Sequence, residues 1–374
     1  MNLLYISEDY PTSKVHHELL TRFNLYDINV NLFTVVRLFD KENDLRKKYG
    51  NINYKIYSYD LPKKYRLLYR YWFGFKKAFK YSQLIKQINP KEIDYIYAAT
   101  LFSDGCIAYE LNKRYQIPYS VAVRGTDINL YLKKMPHLWN LGRRILLNAN
   151  KIVFITDNIR NQFANRVPIK GIWNLIRGKT VTINNGIDNF WINNRYFAER
   201  SKNPSKILFV GRFNKNKNVE KLIEAVLKLR PLFPDIQLTL VGGGDSRHQA
   251  VLKLCEEHPN VIKYLGKIYD KTELMKIYRD HDIFAMVSHS ETFGLVFIEA
   301  LSQNLPVLYT SGQGIDGGFQ NNVGESVLSN NVDDISNGLR KLITNLPKYD
   351  KIENVIDQFS WDNIAKRYKN ILIN

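Results

Sequence analysis

Short apolar runs alternate with longer helix-period stretches along the whole chain. In the first half, residues 3–7, 31–36, 54–59, 93–98, 119–124, 152–156 and 180–184 read as strands. Several of the segments between them, such as residues 107–114, place apolar side chains three and four apart, the spacing of one helix face. In the second half, residues 206–210, 236–241, 261–265, 283–287 and 307–310 read as strands, and residues 271–279 and 361–372 as helices. Strands that are apolar throughout suit a parallel sheet covered on both faces. The alternation predicts an α/β fold with two doubly wound, Rossmann-like parallel sheets. A length of 374 residues gives each domain enough chain for its own core. The polar stretch 190–203 reads as a linker, and the expected division is 1–195, 196–355 and a C-terminal helical segment 356–374.

Two turns carry chemistry. The apolar run 283–287 leads into SHSETFGLVFIE, residues 288–299, which turns through Phe293-Gly294 into a helix. Glu291 lies in the loop and Glu299 about two turns into the helix. Gly294 removes a side chain where a ligand could approach the backbone. The free N–H groups of the helix start suit a phosphate. The other turn follows the strand 206–210, where Gly211 and Arg212 precede Lys217. Arginine offers phosphate a planar fork, and lysine a mobile point charge. Each pattern also occurs as plain strand–turn–helix structure, with solvated cations, so both readings stand on local grounds.

Charge changes the picture. The chain has 54 Lys and Arg against 36 Asp and Glu, a net of +18. Residues 1–195 hold 31 of the cations and 15 of the acids, a net of +16, and residues 196–374 the remaining 23 and 21. Such an excess in one half calls for an anionic surface facing it. Within that half, residues 63–80 (KKYRLLYRYWFGFKKAFK) read as one helix. Arg66, Arg70, Lys77 and Lys80 fall on one side, and Leu68, Trp72, Phe75 and Phe79 on another. It fits a core-packed helix with a solvated basic face, or an element that docks on anionic lipid headgroups. Cys106 and Cys255 lack metal-ligand or redox spacing and read as small buried apolar residues in a reducing compartment. No apolar stretch reaches the roughly 20 residues of a spanning helix, and no signal peptide is legible. A cytoplasmic protein, or one peripheral to a membrane, is expected.

The E-x7-E spacing of Glu291 and Glu299, with Phe-Gly inside it and Glu-Ala at its end, resembles the signature of retaining glycosyltransferases of the GT-B fold, family 4. The G-R-x4-K spacing of Gly211, Arg212 and Lys217 resembles the same family, as does the turn Asn184-Asn185-Gly186-Ile187-Asp188, with Asn184 in place of proline. The Gly-rich segment 312–318 also matches. The resemblance is firm over about residues 180–330. It implies two domains facing a central cleft, with a C-terminal helix that crosses back onto the first. It implies transfer of a sugar from a nucleotide-diphosphate donor to an acceptor hydroxyl with retained configuration, a UDP-sugar being the expected donor. The implied catalytic residues are Glu291, Arg212, Lys217 and Arg124. The implied donor-binding residues are Gly211, Arg212, Lys217, Phe293, Gly294, Leu295, Glu299 and Lys14.

Two departures from the family pattern bear on this. The loop after the first strand carries Lys14 where the family has a Gly-Gly pair. Arg124 stands where the family has a histidine that touches the donor sugar. Arg124 can bond sugar or phosphate but cannot serve as a base, and a structural ion pair with Asp127 is the alternative. No acidic pair suggests a metal-held diphosphate, so no metal and no further cofactor are expected. The first domain is the expected acceptor side. With its charge, it implies a glycan or lipid-linked acceptor and an anionic membrane surface, on the cytoplasmic face during bacterial surface polysaccharide assembly. A basic nucleic-acid-binding protein is a rival reading, but no nucleic-acid module is recognisable. A sugar-nucleotide epimerase on the same fold is another.

Overall fold

The computed structural model describes residues 1–36, 49–50 and 52–373. The chain forms two compact units, Met1–Asn185 with Trp361–Asn374, and Gly186–Ser360.

The sheet of the first unit is parallel throughout, in the order β3-β2-β1-β4-β5-β6-β7. Its strands are β1 Asn2–Ile6, β2 Asn29–Val36, β3 Lys55–Asp60, β4 Tyr95–Ala98, β5 Tyr119–Val123, β6 Lys151–Phe154 and β7 Thr180–Thr182. Successive residues of a strand point to opposite faces, and β1 shows the result. Leu4 and Ile6 join one buried cluster with Val121 and Phe154, whereas Leu3 and Tyr5 join another with Tyr97 and Val153. The second cluster includes Leu19 and Leu20 of helix Lys14–Phe23, and Ile364 and Tyr368 of the C-terminal helix Trp361–Ile373. The C-terminal helix is therefore part of the first unit's core.

The second unit holds six parallel strands in the order β10-β9-β8-β11-β12-β13. They are β8 Lys206–Gly211, β9 Gln237–Gly242, β10 Ile262–Tyr264, β11 Ile283–Ala285, β12 Val307–Thr310 and β13 Gly324–Val327. The sequence pattern missed β13. Its Gly-Glu-Ser-Val is polar because the strand lies at the sheet edge and pairs only with β12. In each sheet the strand order reverses once, at β1/β4 and at β8/β11. Ligands of doubly wound sheets bind beyond the C-terminal strand ends at such a reversal.

Residues 63–80 depart from the single helix expected of them. A helix Arg66–Tyr71 ends at Trp72, whose extended backbone starts a second helix, Phe73–Gln87. The break turns the cations inward. Lys80 is fully buried and paired with Asp104. Lys76 pairs with Glu8 at 2.7 Å and Lys77 with Glu110 at 2.9 Å. Phe75 and Phe79 pack against the core. Lys77 and Lys80 are thus not part of a solvent-facing basic stripe. Cys106 is buried as expected, but Cys255 is only half-buried.

Candidate active site

The second unit's strand-order reversal brings two loops together. One follows β8 and the other follows β11. Gly211 ends β8 in register with Gly242 of β9, and the strands meet so closely that a Cβ on Gly242 would lie 1.9 Å from the Gly211 carbonyl oxygen. Arg212 leaves this point with its side chain 77% exposed, its Nη1 4.0 Å from Asp245. Lys217 instead turns inward and pairs with Glu291 Oε2 at 2.7 Å, both side chains largely covered. The structure therefore joins the two sequence motifs through an ion pair between Lys217 and Glu291.

Glu291 is fixed from several directions. Its backbone N–H donates to Gln313 Oε1 at 3.2 Å, and its carbonyl accepts from Gly314 N–H at 2.9 Å. Its second carboxylate oxygen accepts the Thr292 N–H at 3.1 Å. Gly294 then turns the chain at φ +76°, and a Cβ there would lie 2.6 Å from the Phe297 ring and 3.2 Å from Glu291 Cγ. No side chain of a described residue caps helix Leu295–Ser302. Its first N–H groups, at Leu295 and Val296, are therefore open to a ligand beside the Lys217–Glu291 pair. The Phe293 ring is buried against Phe359, so its backbone is what faces the turn.

Glu299 lies on the same helix in a more enclosed setting. The Tyr278 hydroxyl donates to its Oε2 at 3.4 Å. Burial pushes its pKa up to about 7, with nearby Asp188 adding to the rise, while Tyr278 and Lys271 oppose it. Asp188 also pairs with Lys271 and accepts the Phe190 N–H at 2.9 Å. Residues of three distant sequence stretches, Asp188, Lys271 and Glu299, thus share one electrostatic neighbourhood.

The residues that hold this site are largely ones the motifs did not mark. Asn214 Oδ1 accepts the Lys217 N–H at 3.0 Å, and its Nδ2 donates to Asp245 at 3.0 Å. Asn216 donates to the Ser290 carbonyl at 2.8 Å and accepts the Ser290 N–H at 3.0 Å. Asn218 donates to the Val287 and Ser329 carbonyls at 3.3 and 2.6 Å. These asparagines alternate with lysines in NKNKN, residues 214–218. The alternation is visible in the sequence, but the strut role depends on partners as far as 111 positions away.

Lys14 and Arg124 belong to the first unit. Lys14 is exposed at the start of its helix. The Arg124 guanidinium donates from Nε to the Ala99 carbonyl at 3.1 Å, and it lies among Tyr5, Tyr97 and Tyr368. The alternative, an ion pair with Asp127, is not formed. The Asp127 carboxylate instead accepts the backbone N–H groups of Leu101, Phe102 and Arg124 at 2.9–3.1 Å. Burial raises the Asp127 pKa to about 6 despite these bonds. Burial and the Arg124 charge push His16 down to about 3, so it is neutral where it meets the Tyr5 hydroxyl at 2.8 Å.

Residues 193–358 match the family model of glycosyl transferases group 1. An uncharacterised glycosyltransferase of Methanocaldococcus jannaschii is 26% identical over 279 residues, 68% of this chain and 69% of its own. The alpha-monoglucosyldiacylglycerol synthase of Acholeplasma laidlawii is 24% identical over 260 residues, 63% of each chain. Among solved structures, Anabaena HepE in complex with UDP aligns with a TM-score of 0.72 at 16% identity, over 99% of both chains. The fold is GT-B, and residues 193–358 are similar to the group 1 glycosyl transferases.

Proposed function

We propose that the chain is a retaining glycosyltransferase of the family 4 type, using a nucleotide-diphosphate sugar and no metal. The observation that carries this reading is the second unit's strand-order reversal. There two cations, a carboxylate and an open helix start stand together within one unit. Arg212, 77% exposed, takes the outer phosphate oxygens. Lys217 is shared between Glu291 and the diphosphate, while the backbone N–H groups of Leu295 and Val296 face the remaining charge. These groups stabilise the charge that grows on the leaving diphosphate, the work a metal ion would otherwise do. Glu291 grips hydroxyls of the donor sugar, and Glu299 those of the ribose. Retention follows if the acceptor oxygen attacks the anomeric carbon on the face the diphosphate leaves. The C–O bond to phosphate breaks, a C–O bond to the acceptor forms, and the acceptor proton passes to the departing phosphate oxygen. A UDP-sugar donor is supported by the UDP bound to the structurally similar HepE.

The acceptor side is the first unit, and a lipid-linked glycan at the inner face of a bacterial membrane fits its surface. Leu67, Tyr71 and Trp72 are 71%, 73% and 61% exposed, beside exposed Lys63, Lys64 and Arg70. Apolar rings flanked by cations suit an anionic leaflet. No helix of the described residues is long and apolar enough to cross a membrane.

Calorimetry with UDP, GDP and ADP tests the donor assignment. One diphosphate should bind, and Lys217→Ala should weaken it by roughly 1.5–3 kcal/mol, the usual loss of a charge-assisted hydrogen bond. Undiminished binding in both Lys217→Ala and Arg212→Ala would overturn the clamp.

A further inference from the structure

A cavity of about 500 Å³ opens in the second unit where β8 and β9 begin, at the other end of these strands from Gly211 and Gly242. Four polar side chains of the sheet line it. Lys206 and Gln237 are paired in register, as are Thr239 and Lys263. Register partners share a face of the sheet, and so do residues two apart on one strand. All four therefore project on one side. Their neighbours Ile207, Leu238 and Ile262 project on the other and are buried. A parallel sheet covered on both faces is ordinarily apolar on both. Here one face is polar near the start of three adjacent strands, and a cavity stands where a core would otherwise pack.

Helix Lys271–Arg279 supplies the facing wall through Glu273, Lys276 and Ile277, with Asp280 just beyond it. Asp280 pairs with Lys206 at 3.0 Å. Among the described residues, Lys263, Lys276 and Glu273 form no ion pair. His281, also on the wall, donates from Nδ1 to the Ile277 carbonyl at 2.6 Å. Burial lowers its pKa, so it adds no charge near neutrality. The cavity thus holds two unmatched cations and one unmatched carboxylate. A phosphate group suits the cations, through charge-assisted hydrogen bonds. Hydroxyls suit the carboxylate, and also Gln237 and Thr239, since each hydroxyl both donates and accepts. The volume falls within the roughly 300–1,000 Å³ of small-molecule pockets.

The same helix reaches the nucleotide side of the unit. Glu273, Lys276, Ile277 and Asp280 follow one helix face by their spacing. Lys271, Met275 and Tyr278 share the opposite face. From that face Lys271 pairs with Asp188, and Tyr278 donates to Glu299 at 3.4 Å. A ligand that ties the strands to the helix on one face therefore acts on the Glu299 neighbourhood through the other.

We propose that this cavity is a regulatory site for a small phosphate ester rich in hydroxyls, coupled to nucleotide binding through helix Lys271–Arg279. The coupling rests on the reading of Glu299 as a ribose ligand. An ester that fixes the helix changes the affinity for nucleotide, and nucleotide changes the affinity for the ester by the same factor.

Calorimetry on the full chain tests it, at about 0.15 M salt so that exposed charges are screened. The probes are glucose 6-phosphate and glycerol 3-phosphate, with glucose and glycerol as uncharged controls. The nucleotide is whichever of UDP, GDP and ADP binds tightest. At least one ester should bind with that nucleotide present at saturation, and neither control should. Lys263→Gln/Lys276→Gln should weaken that ester roughly tenfold or more. The double variant should keep the wild-type thermal midpoint and, without ester, the wild-type nucleotide affinity. Saturating ester should shift wild-type nucleotide affinity about fivefold or more, and should leave that of the double variant unmoved. The proposal falls if neither ester binds, or if the double variant binds the ester like wild type. It falls too if nucleotide affinity does not respond to the ester, or if nucleotide displaces the ester, which would then sit at Arg212 and Lys217. The two readings fail separately. A chain that binds nucleotide but no ester loses only this site. A chain that binds no nucleoside diphosphate loses the transferase reading and the coupling with it, and the double variant still decides whether the cavity takes the ester.

Discussion

The two units use the same sheet architecture and differ in charge. Met1–Asn185 with Trp361–Asn374 carries 33 Lys and Arg against 15 Asp and Glu, whereas Gly186–Ser360 carries 21 of each. The whole net charge of +18 therefore belongs to the first unit. Yet the proposed basic clamp is in the neutral unit, and in the basic unit the buried Lys76 and Lys80 are each matched by a carboxylate. Net charge and site charge are thus independent quantities. Long-range steering follows the first, and recognition at contact distance follows the second.

The largest expected effect breaks the first unit at its buried pair. Lys80→Met leaves Asp104 buried without a partner and should cost about 3–5 kcal/mol, read by urea unfolding. The double variant Lys80→Met/Asp104→Leu should recover most of the loss. If Lys80→Met alone is as stable as wild type, the pair does not have the buried role assigned to it.

Membrane docking is the next effect in size, and it sharpens the contrast in net charge. With Lys77 and Lys80 spent on internal pairs, the cations to remove are Lys63 and Lys64. Changing both to serine should weaken co-sedimentation with anionic vesicles by roughly 1 kcal/mol per charge, with UDP affinity unchanged. Wild-type protein that ignores anionic vesicles at low salt would end the membrane reading.

Glu299 probes the second unit with pH. Its folded pKa of about 7 lies above the ordinary 4.5, so the folded state holds the proton more tightly than the unfolded chain. Ionising it therefore costs stability as pH rises from about 4.5 through 7. Glu299→Gln removes that cost, so its gain in thermal midpoint over wild type should be larger at pH 8 than at pH 5. The ionised carboxylate is also the stronger acceptor for ribose hydroxyls. Wild-type UDP affinity should gain on the variant's as pH rises through 7. A constant difference across that range would remove Glu299 from the nucleotide site.

The smallest expected effect is none. Transfer should survive excess EDTA, because Arg212, Lys217 and the helix start oppose the diphosphate charge. Activity lost in EDTA and restored by Mn²⁺ would show that a metal shares that task.

Much of this was legible along the chain. Among the described residues, twelve of the thirteen strands lie within predicted runs or overlap them, because a covered parallel strand must be apolar over its own length. The turn at Gly294 and the cations after Gly211 could also be read locally. Backbone conformation and helix-start chemistry depend on residues a few positions apart. What the sequence could not assign was which charges face solvent. Lys76, Lys77 and Lys80 are indistinguishable in composition from Lys63 and Lys64. Only the break at Trp72 and the approach of Glu8, Glu110 and Asp104 turned the former inward. The Lys217–Glu291 pair, 74 positions apart, has the same origin. Local pattern determines elements and turns, because their energetics are short-range in sequence. Charge pairing is decided by tertiary structure, because a partner's worth depends on burial that distant segments create together.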